Sequence, residues 1–237
     1  RAMATPSALP KFVQLSEMLI REIAAGHLAD GARLPPEREM AGTLGVAVGT
    51  LRKALADVES KGLLERVQGS GNYVRHREQV ESVYTFFRLE LKRGGGLPTA
   101  QVLSVALLPK PADARPFGAH PLGHRIRRLR WLGGVLVGLE EIWLDGGYAP
   151  AIGPDDLLES LYLFYRDRLG LVIAAAEDRI GVAPLPDWTP PDFHLPAGAV
   201  AGYIERNSYL AGRVPVEFSR TWFDADRAQY ISRMGKG

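Results

Sequence analysis

The sequence predicts an α+β protein of two domains, a mainly helical amino-terminal third and a remainder built on a largely antiparallel sheet. In the first third, up to Arg77, apolar residues recur at steps of three and four, which is typical of amphipathic helices. From about residue 97 onward, β-rich segments alternate with turns that contain glycine or proline. The length of 237 residues agrees with one or two domains of ordinary size.

The first third is predicted to contain three helices and a hairpin. Leu15, Leu19 and Ile23 lie on one face of the first helix. The second helix should end at Gly45, and Gly62 is a left-handed stop for the third. In chain order, the predicted segments are helices over 11–25, 35–44 and 48–61 and strands over 63–67 and 72–75.

Two helices joined through a short turn with glycine, followed by a β-hairpin, describe a winged helix-turn-helix. In that fold the second helix of the pair enters the major groove of DNA, and the hairpin, called the wing, reaches the backbone or the minor groove. The pattern alone leaves a generic three-helix cluster with a hairpin as the alternative.

Short residue blocks make the winged helix-turn-helix more specific. They are LPPEREMA at 34–41, LGV at 44–46, TLRKAL at 50–55, GLL at 62–64 and GSGNYV at 69–74. In this order and spacing the blocks resemble the DNA-binding domain of the GntR family of bacterial transcription regulators. The resemblance implies contacts with DNA from Arg38, Thr50, Arg52 and Lys53 and from the wing tip at Gly69, Ser70 and Gly71.

The start of the third predicted helix departs from the family pattern. Where the family usually carries Val-Ser-Arg before its Thr, this chain has Val46, Ala47, Val48 and Gly49, with Ala47 at the place of the serine and Val48 at that of the arginine. Ala47 cannot cap the helix, a loss of roughly 1 kcal/mol, and Gly49 costs up to about the same in helix propensity. Because Val48 carries no charge, we expect fewer ionic contacts with DNA than in relatives that have the arginine.

The charge distribution and the lack of cysteine narrow the class of protein. The formal net charge is +2, yet the chain up to Arg77 has 11 Lys and Arg against 8 Asp and Glu, and the remainder has 18 against 19. An excess of this size fits a DNA-binding domain but also an ordinary solvated surface. Zero Cys excludes disulfides and thiolate metal sites. We expect a cytoplasmic protein without a membrane span or signal peptide.

The rest of the chain is predicted to form a sheet with one helix. The β-rich segments are 102–108, 125–132, 135–144, 172–181, 200–210 and 214–223, and the helix is 160–169. The blocks RLR at 128–130, SLY at 160–162 and PVEFSR at 215–220 resemble the effector-binding UTRA domain of the HutC branch of the GntR family, a fold related to chorismate lyase. We expect domains over 8–77 and 97–235, with 78–96 linking them.

Two arginines of this second domain suggest an anion site. Arg128 and Arg130 are two residues apart on a predicted strand, so both side chains project from one face, and two buried guanidinium groups need an anion between them. The Ser160 hydroxyl, the N–H groups after it and the Tyr162 phenol form a natural second anion contact at the start of a helix. The pattern therefore predicts a small ligand with a phosphate, carboxylate or similar group.

Further residues complete the predicted effector site. Glu217 and Phe223 would supply a carboxylate that accepts ligand hydroxyls and an apolar wall. Glu140 is expected beside the arginines. The alternative to a ligand site is that the two arginines pair with Glu140 and Glu217 as structural ion pairs.

The register of the hairpin between the second and third strands decides where Glu140 lies. A two-residue loop would place Glu140 on the opposite face from the arginines, whereas a three-residue loop over 132–134 with Gly134 left-handed would place it on the same face. We predict the three-residue loop, with Gly138 opposite Arg128 and open space above Gly138 that a ligand could fill.

Catalytic and metal sites are not predicted. His120 and His124 have the spacing of a helical metal pair, but Pro121 and Gly123 forbid that helix. The sequence has no phosphate-binding loop with its lysine, no dinucleotide fingerprint and no nucleophile elbow, so we expect no cofactor. The proline-rich segment 184–191 is either a lid over the site or a surface connection.

These observations predict a ligand-responsive transcription regulator, a repressor that binds an inverted repeat in double-stranded operator DNA as a homodimer and is released by a small anionic metabolite. The alternative from another class is a chorismate-lyase-like enzyme acting on a small carboxylate, with Glu140 or Glu217 as general acid or base. A third reading is a DNA-binding protein that responds to no ligand.

Overall fold

The structure is a computed structural model that describes residues 8–77, 80 and 82–234. Two compact units divide the chain, and each is described by itself. We call Leu9–Leu97, together with the end of the chain from Tyr230, the helical unit, and Pro98–Gln229 the sheet unit. Positions 78, 79 and 81 of the predicted linker and position 235 lie outside the described residues.

The helical unit contains the three helices and the hairpin that the sequence predicts. Its core is formed by Leu19, Ile23, Leu51, Leu55 and Val58, all of which are buried. The elements are α1 (Lys11–Ala24), α2 (Glu37–Leu44), α3 (Val48–Ser60), β1 (Leu64–Val67) and β2 (Gly71–Val74), with β1 and β2 paired antiparallel as the wing.

Glycines end the helices and the start of α3 has no side-chain cap. Gly45 follows α2 with φ 65°, and Gly62 lies just after α3 with φ 75°, both in the left-handed region that favours glycine. Ala47 is the N-cap residue of α3 and makes no side-chain hydrogen bond there. The uncapped start of α3 is therefore as predicted.

Alanine substitutions at two glycines near this start should have opposite effects. A Cβ on Gly49 would meet nothing within 4 Å, so Gly49→Ala should stabilise the helical unit by about 0.5–1 kcal/mol through helix propensity. Gly45→Ala should destabilise it by about 1 kcal/mol, since alanine is strained at the φ of 65° found there. Urea unfolding followed by far-ultraviolet circular dichroism measures both. Equal shifts in the same direction would contradict the prediction.

The helical unit is completed by chain segments far apart in sequence. Arg21 of α1 is buried and donates to the carbonyl oxygens of Leu89 (2.5 Å) and Gly96 (2.6 Å). From the other end of the chain, the Ile231 N–H donates to the Arg88 carbonyl at 2.9 Å. The Arg233 guanidinium also binds Glu90, with Nη1–Oε1 at 2.5 Å. Two more short strands are β3 (Leu89–Leu91) in this unit and β10 (Ala228–Tyr230) at the boundary between the two units.

The sheet unit is built on six strands in the order β4-β5-β6-β9-β8-β7, and every neighbouring pair is antiparallel. The strands are β4 (Pro98–Pro109), β5 (Leu122–Leu132), β6 (Val135–Asp145), β7 (Ala175–Pro184), β8 (Val200–Leu210) and β9 (Val214–Phe223). The α+β class and the antiparallel sheet are thus confirmed. The strand predicted over 172–181 starts three residues later.

The hairpin between β5 and β6 does not have the predicted register. Its loop has two residues, Gly133 (φ 52°) and Gly134 (φ 80°), so the three-residue loop was wrong. A register shift follows, because Leu136 lies opposite Trp131 while Gly138 lies opposite Arg130. The bulge at Val137 reverses the face of every later residue of β6. As a result Glu140 lies opposite Arg128, on the face predicted for it, and Gly138 lies opposite Arg130 rather than Arg128.

The two faces of the sheet are covered by different segments. On one face, Ile126, Ile142 and Leu144 pack against α4 (Leu161–Phe164), which continues as a π-helix over Tyr165–Leu169. The predicted helix over 160–169 is therefore present in two parts. The opposite face is covered by the segment after β7, through Leu185, Trp188 and Phe193. In the described residues, no helix is long and apolar enough to cross a bilayer.

Candidate functional site

The predicted DNA-contacting side chains lie on the surface of the helical unit. Arg38 is in the first turn of α2 and is exposed. Arg52 and Lys53 are exposed on α3, whereas Thr50 on the same helix is half-buried. The buried face of α3 is taken by Leu51, Ala54, Leu55 and Val58, so the periodicity of the helix itself directs the polar residues outward.

The wing tip is formed by Gly69, Ser70 and Gly71 between the two short strands. The Ser70 hydroxyl lies 2.6 Å from the Tyr73 hydroxyl, a hydrogen bond that steadies the turn. Gly71 has φ 144°, and a Cβ there would lie 3.0 Å from the Arg33 Nε. A cleft of about 450 Å³ separates this tip from the start of α2.

One acidic residue within this surface was not singled out from the sequence. Glu37 accepts a hydrogen bond from Arg52, with Nε–Oε2 at 2.5 Å, and its other oxygen lies 3.7 Å from Nη2 of Arg66 on the wing. From the sequence, Glu37 is only a first-turn glutamate that suits a helix dipole. Its partners are 15 and 29 residues away, so only the folded helical unit brings them together.

In the sheet unit, Arg128 and Arg130 meet the Glu140 carboxylate. Arg128 binds Oε2 through Nε (2.8 Å) and Nη2 (2.6 Å), and Arg130 binds Oε1 through Nε (2.9 Å) and Oε2 through Nη2 (3.1 Å). All three side chains are buried. Burial alone would raise the pKa of Glu140, but the two guanidinium groups outweigh it and lower that pKa to about 2.

The start of α4 lies directly beside Arg128. The Arg128 Nη1 donates to the carbonyl oxygen of Glu159 at 3.3 Å, one residue before Ser160. Ser160 is the N-cap of α4, and its hydroxyl accepts from the Leu163 N–H at 3.3 Å, as its predicted capping role requires. The structure therefore brings Ser160 next to the arginine cluster.

Tyr162 and Glu217 belong to a neighbouring buried cluster of hydroxyl groups. The Glu217 carboxylate accepts from Tyr165 (2.5 Å), Ser208 (2.8 Å) and Tyr162 (3.2 Å). Burial raises the pKa of Glu217, and the hydrogen bonds from these hydroxyls oppose that rise. The predicted hydroxyl-accepting carboxylate thus receives hydroxyls of the protein itself. The alternative pairing of the arginines with acids applies to Glu140, not to Glu217.

Phe223 is buried at the end of β9, opposite both Gly138 of β6 and Gly202 of β8. A Cβ on Gly202 would lie 2.3 Å from the phenyl ring, so the ring occupies the space above that glycine. A Cβ on Gly138 would lie 2.5 Å from the Trp222 carbonyl oxygen. The predicted open space above Gly138 is therefore wrong, because the backbone of β9 fills it.

Two charged residues on the sheet face that carries Glu217 were not identified by the sequence analysis. Arg206 of β8 makes a bidentate pair with Asp178 of β7, with Nε–Oδ1 at 2.5 Å and Nη2–Oδ2 at 2.7 Å. Burial alone would lower the pKa of Arg206, but the electrostatic interaction with Tyr162 and the pairing with Asp178 outweigh it and hold that pKa above its usual value. The signal in the sequence is weak, because 28 residues separate the partners and only the strand register joins them.

The structure also shows the surroundings of His124, one of the two histidines considered above, and of the proline-rich segment. His124 is buried on β5, and its Nε2 lies 2.8 Å from the Ala149 carbonyl oxygen. Among the residues that the structure describes, no group of three His, Asp or Glu side chains could hold a metal ion. The segment 184–191 contributes Leu185 and Trp188 to the sheet face opposite Arg128, so it is not a lid over the arginine cluster.

The winged helix-turn-helix places this chain among DNA-binding proteins, and the sheet domain joined to it holds a buried cluster of two arginines and a glutamate. The chain belongs to the GntR family: the model for bacterial regulatory proteins of the gntR family matches residues 12–74, and the UTRA domain model matches residues 93–229. It is a transcription regulator rather than an enzyme, since the relatives that it matches along nearly its whole length are named transcriptional regulators.

Two relatives illustrate this membership, and one solved structure has the same fold. The HTH-type transcriptional regulator SmoD of Agrobacterium fabrum is 54% identical over 97% of this chain and 98% of its own length. The HTH-type transcriptional repressor NagR of Bacillus subtilis is 25% identical over 97% of both chains. The crystal structure of YydK from Bacillus subtilis matches 96% of this chain and 100% of its own, with a TM-score of 0.53 at 19% identity, which confirms the fold.

Proposed function

We propose that the protein represses a catabolic or transport operon and leaves its operator when a small anionic metabolite binds the sheet unit. The residues proposed to bind this effector are Arg128, Arg130, Glu140, Ser160, Tyr162, Glu217 and Phe223. A regulator that binds a metabolite can adjust the expression of the genes for its transport or breakdown to the amount of that metabolite in the cell. Repression is supported by the name of NagR, a repressor that covers nearly the whole chain.

The charge of the arginine cluster supports an anionic effector. Arg128 and Arg130 are buried beside Glu140, and both guanidinium groups lie on one face of the sheet. Guanidinium groups bind carboxylate and phosphate groups through strong, charge-assisted hydrogen bonds, so a ligand with such a group would be favoured there. Ser160 lies beside the cluster and can approach the same anion, because Arg128 already contacts the preceding carbonyl.

The proposal includes a cytoplasmic homodimer on an inverted repeat. One recognition helix covers a half-site of DNA, so two-fold operators require two-fold proteins. The effector would favour arrangements of the dimer in which the two α3 helices no longer match the half-site spacing. Coupling of this kind typically changes affinity by roughly 5–150-fold.

The effector can be identified on the full-length protein. Small molecules extracted from the purified chain are identified by mass spectrometry, and the compound found is titrated into the complex with the DNA duplex that the protein selects from a random pool. We expect an anionic compound that weakens DNA binding by about tenfold or more. A compound that binds tightly and leaves DNA affinity unchanged would contradict the proposal, and an uncharged one would contradict the anionic effector.

Paired arginine variants sharpen this experiment. Arg130→Gln should weaken binding of the compound by about tenfold or more, since it removes a buried charged donor. Arg115→Gln is the control, because Arg115 is an exposed arginine of the same unit. If the two variants bind the compound equally well, the effector does not occupy the arginine cluster.

A further inference from the structure

Three charged side chains meet where α2, α3 and the wing come together. Glu37 contacts Arg52 of α3 at 2.5 Å and Arg66 of the wing at 3.7 Å. The Glu37 side chain is only 23% exposed, whereas Arg52 and Arg66 are 64% and 47% exposed. A partly buried carboxylate therefore lies between two guanidinium groups that point outward from the two parts of the winged helix-turn-helix that touch DNA.

This position gives Glu37 two opposed effects on DNA binding. Its negative charge lies close to a surface that must approach the DNA phosphates. An arginine that Glu37 neutralises can no longer contribute fully to phosphate contacts, which form with DNA of any sequence. The same carboxylate also limits the rotamers of Arg52 and thus fixes how that guanidinium is presented to the base edges. Contacts to phosphates supply affinity without selectivity, whereas an oriented arginine in the groove supplies selectivity.

We propose that Glu37 is a specificity-determining residue of the DNA-binding surface. By holding Arg52 and restraining Arg66, it weakens binding to DNA of any sequence more than it weakens binding to the operator. This proposal rests on the DNA-binding part of the proposed function and is independent of the effector. Glu37 acts through the two arginines, so it is a positioning residue and need not touch DNA.

A second glutamate of the same helix turn offers a matched control. Glu37 and Glu39 both lie in the first turn of α2, where each interacts favourably with the helix dipole. Within residues 8–77, however, the side chain of Glu39 makes no hydrogen bond or ion pair, and it is exposed. Glu37→Gln and Glu39→Gln therefore remove the same charge from the same helix end, and only the first releases the arginines.

The test measures binding of the full-length wild type and both variants to two duplexes over a range of salt concentrations. One duplex is the sequence that the wild type selects from a random pool, and the other is a scrambled sequence of equal composition. Glu37→Gln should bind the scrambled duplex about three- to tenfold more tightly, with a salt slope steeper by about 0.9 for one added phosphate contact. Its preference for the selected duplex should fall about tenfold, and Glu39→Gln should stay within about twofold of wild type.

The results of this test distinguish a failure of the proposed role of Glu37 from a failure of sequence-selective DNA binding itself. Thermal unfolding of both glutamine variants shows whether each is folded, and a common loss of the dipole interaction would shift both equally. If Glu37→Gln keeps the preference and salt slope of Glu39→Gln, Glu37 is a structural residue only and the proposal is overturned. If the wild type selects no duplex, the proposed function and this inference both fail.

Discussion

Replacing Glu140 with alanine is expected to lower the free energy of unfolding of the sheet unit by about 3–5 kcal/mol. The substitution leaves Arg128 and Arg130 buried, like-charged and without the carboxylate that both contact. Removing one partner of a buried ion pair is more costly than the pair is worth, because the remaining charge stays desolvated. Here two charges are left behind, so this is the largest single-residue effect that we expect.

Tryptophan fluorescence during urea unfolding can measure this effect, because all four tryptophans of the chain lie in the sheet unit. The control is Glu205→Ala, which removes the partner of Arg115, a side chain that is 52% exposed. Glu205 is 20% exposed and also accepts a hydrogen bond from Tyr203 at 3.4 Å, so we expect a loss of about 1 kcal/mol, well below that for Glu140→Ala. Similar losses in the two variants would contradict the buried cluster described above.

The pH dependence of stability provides a second readout of Glu140. Its pKa is lowered to about 2 in the folded protein, below the ordinary value of 4.5. The stabilisation is therefore complete above about pH 4.5 and is lost as the pH falls toward about 2. Glu140→Ala should lack this part of the acid-induced loss of stability, so the difference between wild type and variant should shrink on acidification.

Gly138→Ala is expected to cost about 2–3 kcal/mol, the second-largest effect. The added Cβ would lie 2.5 Å from the Trp222 carbonyl oxygen, and it cannot be accommodated by a side-chain rotation because that oxygen belongs to the backbone of β9. Strands β6 and β9 would have to separate locally, which would disturb the strand that carries Glu140. Urea unfolding followed by tryptophan fluorescence again gives the magnitude.

A glycine of the edge strand is the matched control for this substitution. Gly181 lies within β7, and a Cβ there would meet nothing within 4 Å. Gly181→Ala should therefore change stability by less than about 0.5 kcal/mol, or increase it slightly through the reduced entropy of the unfolded chain. If Gly138→Ala is as mild as Gly181→Ala, the close packing of β9 over β6 is not as described.

Local sequence patterns were sufficient to predict the helices of the helical unit and where they begin and end. Gly45 and Gly62 end helices where the sequence placed them, and Ala47 begins α3 without a cap, because each depends on neighbouring residues only. Neighbouring residues were not sufficient to predict the register between β5 and β6. Gly133 and Gly134 permit two loop types, and the bulge at Val137, which settles the face of Glu140, has no sequence signal of its own.

The candidate effector site was predictable to the extent that strand alternation sufficed. Alternation placed Arg128 and Arg130 on one face, and the structure agrees. Pairing between strands distant in sequence was needed for the rest. Glu217 meets Tyr165 from 52 residues away, and Arg206 meets Asp178 only because β7 and β8 are neighbours. Such contacts depend on sheet topology, which a single sequence does not specify.

The helical unit is formed by two chain segments that lie on either side of the sheet unit in sequence, and this affects how such regulators can evolve. Ile231 and Arg233, which follow the sheet unit in the chain, contact Arg88 and Glu90, which precede it. A recombination event with a single crossover near residue 97 would join a new DNA-binding segment to a tail that evolved with another partner. Exchange of operator specificity between relatives is therefore favoured when the segments on both sides of the sheet unit are inherited together, or when changes are confined to the surface of α3 and the wing.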